Sequence, residues 1–288
     1  MKVLVLGAGG QVGRAVAQTP RAGHQVIAKT RSEVNIADAS AVGRVLAETT
    51  PDWLVNAGAY TAVDLAEDEP QAAAAINDTA VGIIATAAAR SGCRVLHLST
   101  DFVFDGASSR AYRPSDTPAP LSVYGATKLA GEKRLLDGDG RGIVLRTAWV
   151  YASAGRNFVL TMLRLMKERE QIRVVSDQIG APTWAGSLGG IIWGLMEAQA
   201  PAGIYHWTDL GVASWYDFAV AIQEEALSRG LLSRPSEVIP ITTADYPTRA
   251  RRPAFSVLDT TATRALSVAP AAHWRANLRK MLDELRTA

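Results

Sequence analysis

Val3-Leu4-Val5-Leu6-Gly7-Ala8-Gly9-Gly10-Gln11-Val12-Gly13 carries the chain from a short apolar run directly into glycines. In such a strand–turn–helix passage, backbone N–H groups can approach a pyrophosphate and the following helix aims its N-terminus at the negative charge. Gly7, Gly10 and Gly13 take Gly-x-x-Gly-x-x-Gly spacing. This makes Gly7, Gly10, Gln11, Val12 and Gly13 candidate cofactor contacts, against the plainer reading of a merely structural turn. A glycine motif alone is weak, but this one stands after a strand and before a helical pattern, the context it requires.

Outward from that loop, apolar runs at 3–6, 25–28, 53–56, 95–99 and 143–146 read as strands, and 39–49, 70–90 and 124–136 read as helices between them. That alternation predicts an α/β fold built on a Rossmann-type doubly wound parallel sheet. After Tyr151 the pattern loosens: helices are expected over 157–169, 184–199, 215–229 and 271–285, separated by Pro- and Thr-rich stretches such as 239–253. The expected organisation is a dinucleotide-binding domain over 1–150, with a helix returning to it near 184–204. A smaller C-terminal α/β substrate-binding domain would take 151–183 and 205–288.

Composition excludes several alternatives. Thirty Lys+Arg against 28 Asp+Glu give a formal net charge of +2, which does not point to nucleic acid. The lone Cys93 cannot form an intrachain disulfide, and four scattered His supply no metal-ligand spacing. The N-terminal apolar run is too short for a signal peptide, and no apolar run approaches the roughly 18 residues of a bilayer crossing. The expectation is a cytoplasmic protein with no membrane partner, no metal and a modest anionic ligand.

Past the second strand, Lys29-Thr30-Arg31-Ser32 stands where an NAD-binding domain places an acidic residue for the ribose. Basic side chains there suit a 2′-phosphate, so Arg31 favours NADPH, with NADH left open; the alternative is an ordinary solvated loop. Asp38 is expected to cap the next helix, to touch the adenine, or both.

Tyr124 and Lys128 lie four residues apart, on one helical face. The ammonium would lower the phenol's pKa and make Tyr124 a proton donor to a carbonyl under reduction. Ser99 and Thr100 end the fourth strand, at the edge where open α/β sheets bind ligands. Thr100 is the preferred hydroxyl for the carbonyl oxygen, Ser99 its competitor, and a plain chain turn the bland reading.

These residues resemble the extended short-chain dehydrogenase/reductases and, within them, the dTDP-4-dehydrorhamnose reductase family. The resemblance is carried by the glycine loop at 10–13, Val55-Asn56-Ala57-Gly58-Ala59-Tyr60-Thr61-Ala62-Val63-Asp64, Ile76-Asn77, Ser99-Thr100-Asp101-Phe102-Val103-Phe104-Asp105-Gly106 and the run 124–132. Leu145-Arg146-Thr147-Ala148-Trp149-Val150-Tyr151, Arg156-Asn157-Phe158, Asp177-Gln178-Ile179-Gly180-Ala181-Pro182-Thr183 and Arg252-Pro253 extend it over nearly the whole chain. It implies Thr100, Tyr124 and Lys128 as the catalytic set, with Lys128 also on the nicotinamide ribose, and Ala57, Gly58 and Tyr60 lining the cofactor. Asp101, Phe102, Trp149, Asn157 and the segment 178–183 would face a dTDP-sugar, and Arg252 its phosphates. The implied activity is NADPH-dependent reduction of the 4-keto group of dTDP-4-dehydro-L-rhamnose, in a monomer or homodimer.

The chain departs from the family in three places: Phe102 where Tyr is usual, Gly58 where Ala is common, and Ala15 where some members use Glu in a metal-bridged dimer. The metal and that dimer are therefore not carried over. Two rivals share the resemblance: a nucleotide-sugar epimerase or dehydratase that recycles its cofactor, and a non-catalytic subunit similar to the regulatory β subunit of methionine adenosyltransferase. Trp149 is read equally as sugar platform and as core; Trp184, Trp193, Trp207 and Trp215 as the second domain's core; Cys93 as core filler; and His97 as packed or hydrogen-bonded rather than catalytic.

Overall fold

The computed structural model describes residues 1–19, 21–138, 141–266 and 269–287. Strands β1 (Lys2–Leu6), β2 (Gln25–Lys29), β3 (Trp53–Asn56), β4 (Arg94–Thr100) and β5 (Ile143–Thr147) occupy the five expected places. Shorter strands follow: β6 (Val150–Tyr151), β7 (Gln171–Val175), β8 (Ile179–Gly180), β9 (Thr183–Trp184), β10 (Gly203–His206), β11 (Ala213–Ser214) and β12 (Glu237–Ile241). Helices α1 (Gln11–Gln18), α2 (Ala39–Thr49), α3 (Val63–Ala66), α4 (Pro70–Ala74), α5 (Ala80–Ser91) and α6 (Val123–Leu136) alternate with the first strands. Helices α7 (Phe158–Glu168), α8 (Ala185–Glu197), α9 (Trp215–Ser228), α10 (Thr261–Ala265) and α11 (Trp274–Thr287) lie beyond them.

Six strands form one parallel sheet in the order β10-β5-β4-β3-β1-β2. Val3 to Leu6 and all of β5 are buried, the continuous apolar run expected of a strand covered on both faces. From β1 the chain goes to β2 on one side and then crosses to β3 on the other. The carboxyl ends of β1 and β3 thus flank the switch point, where open α/β sheets bind ligands.

The return to the sheet is more than the helix expected near 184–204: α8 leads into β10, which pairs with β5 through His206. Trp193 and Trp207, read from sequence as part of a separate second core, instead pack in the sheet's own core with Leu188, Ile191 and Ile192. The returning segment is nearly apolar throughout and covers one sheet face. A distinct core gathers α7, α9 and α11 around Phe218, Met162, Leu278 and Met281, beside a parallel ladder of β7 and β12.

The other sheet face is covered by α2, α5 and α6. Contrary to the expectation of no long apolar run, the helical stretch Pro70–Ser91 spans 22 residues and contains an 18-residue window of mean hydropathy 1.4, enough by length and composition to cross a membrane. Ala80, Val81, Ile84 and Ala88 pack on the sheet, while Gly82, Ile83, Thr86 and Ala87 line an outer groove of about 870 Å³ between α2, α5 and α6. That groove holds none of the sequence-predicted site residues.

Between α4 and α5 the helix widens into a π turn, Ala75–Thr79, which brings Asn77 under α6. A Cβ on Gly131 would lie 2.0 Å from the Asn77 carbonyl oxygen, so this approach of α6 requires glycine. Replacing Gly131 with Ala must push α6 off the π turn. We expect a loss of about 1–3 kcal/mol, measured as a lower denaturant midpoint at unchanged slope.

Candidate active site

The glycine loop and the exit of β3 meet at the switch point. Gly7 has φ +80°, and a Cβ there would stand 2.5 Å from the Gly58 backbone nitrogen. Gly10 precedes α1 with its N–H on the Gly7 carbonyl at 3.0 Å, and Gly13 packs its α-carbon on that same peptide. A cavity of about 610 Å³ opens here, lined by Gly7, Gly10, Arg31, Ile36, Ala57, Gly58 and Tyr60 among others. Its floor is glycine backbone at a helix N-terminus, which fits a dinucleotide's pyrophosphate. Val12 instead packs toward the sheet core, and Gln11 accepts a hydrogen bond from Asn157 at 3.0 Å.

In the β2 loop, Glu33 accepts from the Thr30 N–H and hydroxyl and from Lys29, leaving Arg31 exposed on the cavity wall. Asp38 does what a cap does, accepting from the Ser40 and Ala41 N–H groups; Val34, Asn35 and Ile36 line the cavity in its place. Tyr60 donates its hydroxyl to Glu69, and its backbone is pinned on both sides by the buried Asn77, which also donates to Thr127 on α6. Sequence reasoning gave Asn77 no role of its own; its 17-residue separation from Tyr60 carries no local signal.

Thr100 ends β4, and α6 begins at the Ser122 cap, whose hydroxyl accepts from the Gly125 N–H. This start sets Tyr124 on the first turn, near Thr100, and Lys128 one turn further along, buried against the sheet. The competition between hydroxyls resolves by direction. Ser99 donates to buried Glu132 beneath α6, while Thr100 donates to Asp101 at 3.1 Å and accepts from the Phe102 N–H at 3.2 Å. Phe102 meets the Tyr124 ring edge-on at 5.5 Å.

The expected lowering of the phenol by Lys128 is absent. Burial pushes Tyr124 up to about 12, with the Asp101 charge adding to the rise and the Thr100 hydroxyl opposing it. Lys128 does not offset this, because its Nζ donates to the Leu98 carbonyl at 2.6 Å and lies 3.3 Å from His97 Nε2. Burial lowers Lys128 itself to about 8, against the pull of Glu132. Asp101, 2% exposed, is raised by burial to about 6 although Ser256 and Thr100 hydrogen-bond it, and its Oδ2 has no partner.

A second cavity, about 680 Å³, is lined by Phe158, Gln178, Trp215, Tyr246, Arg252 and neighbours on β7. Its aromatic wall is Trp215 rather than Trp149: Trp149, at φ +49°, stacks flat on Trp215 at 3.5 Å with Gly180 against its indole. Gln178 accepts from Trp215 Nε1. Arg252 grips Asp64 through two bonds of 3.0 and 2.7 Å, so its charge is partnered here. Asn157 does not offer a free amide to a ligand; it caps α7 and donates to Gln11 and the Ala152 carbonyl.

A parallel sheet with a glycine-floored groove, and a Tyr/Lys pair one helical turn apart at the end of β4, define an oxidoreductase of the short-chain dehydrogenase/reductase class. The profile of the RmlD substrate binding domain matches residues 1–287, and the chain belongs to that family. It is 42% identical over 274 residues to a dTDP-4-dehydrorhamnose reductase of Burkholderia thailandensis, covering 92% of each chain. It is 40% identical over 298 residues to the Escherichia coli K12 protein of that name, covering 100% of this chain and 99% of that one. The crystal structure of a Bacillus anthracis dTDP-4-dehydrorhamnose reductase in complex with NADP superposes with TM-score 0.92 at 32% identity, over 98% of this chain and 99% of the other.

The buried Asp101 has a stability signature. Its folded pKa is raised above the ordinary 3.8, so the folded chain holds a proton that the unfolded chain has lost between about pH 4 and 6. Stability therefore falls as pH rises through that window. Asp101→Asn, which cannot ionise, should gain on the original by on the order of 2–3 kcal/mol between pH 4 and 7. Denaturant melts of both proteins at the two pH values measure the difference.

Proposed function

We propose that this chain reduces the 4-keto group of dTDP-4-dehydro-L-rhamnose with NADPH, giving dTDP-L-rhamnose. The observation that carries the reading is the grouping of Thr100, Tyr124 and Lys128 at the carboxyl end of β4, on a chain that belongs to this family over its full length. NADPH supplies the hydride when bound in the glycine-floored groove, and Arg31 would face its 2′-phosphate.

The residues divide the remaining work. Tyr124 stays protonated across the physiological range because burial raises it, and it donates its proton to the carbonyl oxygen. The alkoxide that would otherwise form is more basic than a phenolate, so this transfer runs downhill. Thr100, anchored by the Phe102 N–H, steadies the same oxygen. Lys128 in its charged form supports the phenolate left behind. The Trp215 and Arg252 cavity would take the sugar nucleotide, with Arg252 exchanging Asp64 for phosphate. Phe102 offers an apolar edge in place of a hydroxyl. We infer a cytoplasmic location, with which the buried free thiol of Cys93 accords.

The reductase names of the relatives weigh against an epimerase or dehydratase, and the intact Thr100, Tyr124 and Lys128 weigh against a regulatory subunit. Mixing the protein with the keto-sugar and following nicotinamide absorbance tests the reading: stoichiometric NADPH oxidation is expected, and none in folded protein overturns it. Tyr124→Phe should lower kcat by roughly 10²- to 10⁴-fold while NADPH still binds. Arg31→Ala should weaken NADPH binding by about tenfold or more and leave NADH nearly unchanged, read by fluorescence titration of both.

A further inference from the structure

His97 is fully buried on β4 and takes no part in the steps above. It belongs to a chain of hydrogen bonds whose direction is fixed at one end. The Gly58 N–H donates to Asn56 Oδ1 at 3.1 Å, which orients that amide. Asn56 Nδ2 then faces His97 Nδ1 at 3.0 Å and must donate to it. A neutral imidazole that accepts at Nδ1 carries its only proton on Nε2. His97 is neutral here, held well below its ordinary pKa by burial. Its Nε2 lies 3.3 Å from Lys128 Nζ, which itself donates to the Leu98 carbonyl. An N–H pointed at Nζ needs a lone pair there. An amine has one; an ammonium has none.

We infer that His97 is a positioning residue which, held as the Nε2–H tautomer by Asn56, parks Lys128 on the sheet as an uncharged amine until the nicotinamide cofactor binds. Gly58 lines the cofactor groove, so its N–H can turn from Asn56 to a ligand oxygen. Asn56 is then free to rotate and present its oxygen to His97, which moves the imidazole proton to Nδ1. The bare Nε2 accepts from an ammonium, and Lys128 takes one proton from solvent. The other groups that bear on Lys128 do not reverse this. Glu132, on the next turn, is already paired with Arg146 from β5; Tyr124 is neutral; Asp101 bonds Thr100 and Ser256. Burial lowers Lys128 to about 8, so the parked amine is the major form above that pH.

The inference rests on NADPH binding as proposed above, and its test separates the two. Long-range ¹H–¹⁵N spectra of the free protein should show His97 protonated at Nε2 and bare at Nδ1; a proton on Nδ1, or on both nitrogens, overturns it without any variant. Calorimetric titration with NADPH at pH about 8.5, in buffers of different ionisation enthalpy, should show uptake of most of one proton. His97→Gln, whose amide can accept from Asn56 and donate to Lys128, should keep that uptake. His97→Leu should bind NADPH and lose it. Uptake unchanged in His97→Leu, or binding by the original protein without uptake, contradicts the inference. No binding by the original protein contradicts the functional reading instead, and leaves the tautomer measurement to decide this one.

Discussion

The buried ion pair of Glu132 and Arg146 sets the position of everything on α6. Arg146 reaches from β5 and bonds both carboxylate oxygens, at 2.9 and 2.6 Å, with each side chain 1% exposed. A charge left alone there would cost about 3–5 kcal/mol, so the two elements hold one relative placement. Ser99 adds its hydroxyl to Glu132, and His206, which donates to the Tyr112 carbonyl, accepts from Arg146. The network thereby joins β4, β5, β10 and α6 beneath the site. Tyr124 and Lys128 stand two and one turns before Glu132 on that helix, so their placement over β4 follows from it.

The second constraint is backbone proximity at the switch point. β1 and β3 are neighbours, and their exits must turn within contact distance; only a residue without a side chain fits at Gly7. The same closeness puts the Gly58 N–H at the groove wall and, through Asn56 and His97, connects it with Lys128. The glycine-floored groove and α6 are thus joined twice: by this buried chain, and by Asn77, which holds the Tyr60 backbone and Thr127 together.

Much of this was legible in the sequence, and the limit is physical. Helix 39–49 and strand 53–56 were read to the residue because a strong apolar period ends there at polar neighbours, with Asp38 as cap. The glycine loop and the Tyr124/Lys128 pair were legible because strand, turn and helix are local patterns. What sequence did not disclose depends on partners far along the chain. Asn157 meets Gln11 across 146 residues, and β12 meets β7 across about 66. Trp193 and Trp207 entered the sheet core because α8 returns to cover that face. The direction of the phenol's shift was misjudged because spacing places an ammonium near a phenol but not the Leu98 carbonyl that captures it.

The central claim is hydride delivery to carbon 4 of a nucleotide-bound keto-sugar. NADPH deuterated at nicotinamide carbon 4, incubated with the protein and dTDP-4-dehydro-L-rhamnose, should yield dTDP-L-rhamnose with deuterium at sugar carbon 4, seen by NMR. Deuterium absent from that carbon in the product, or a keto-sugar left unreduced by folded protein, would contradict the account.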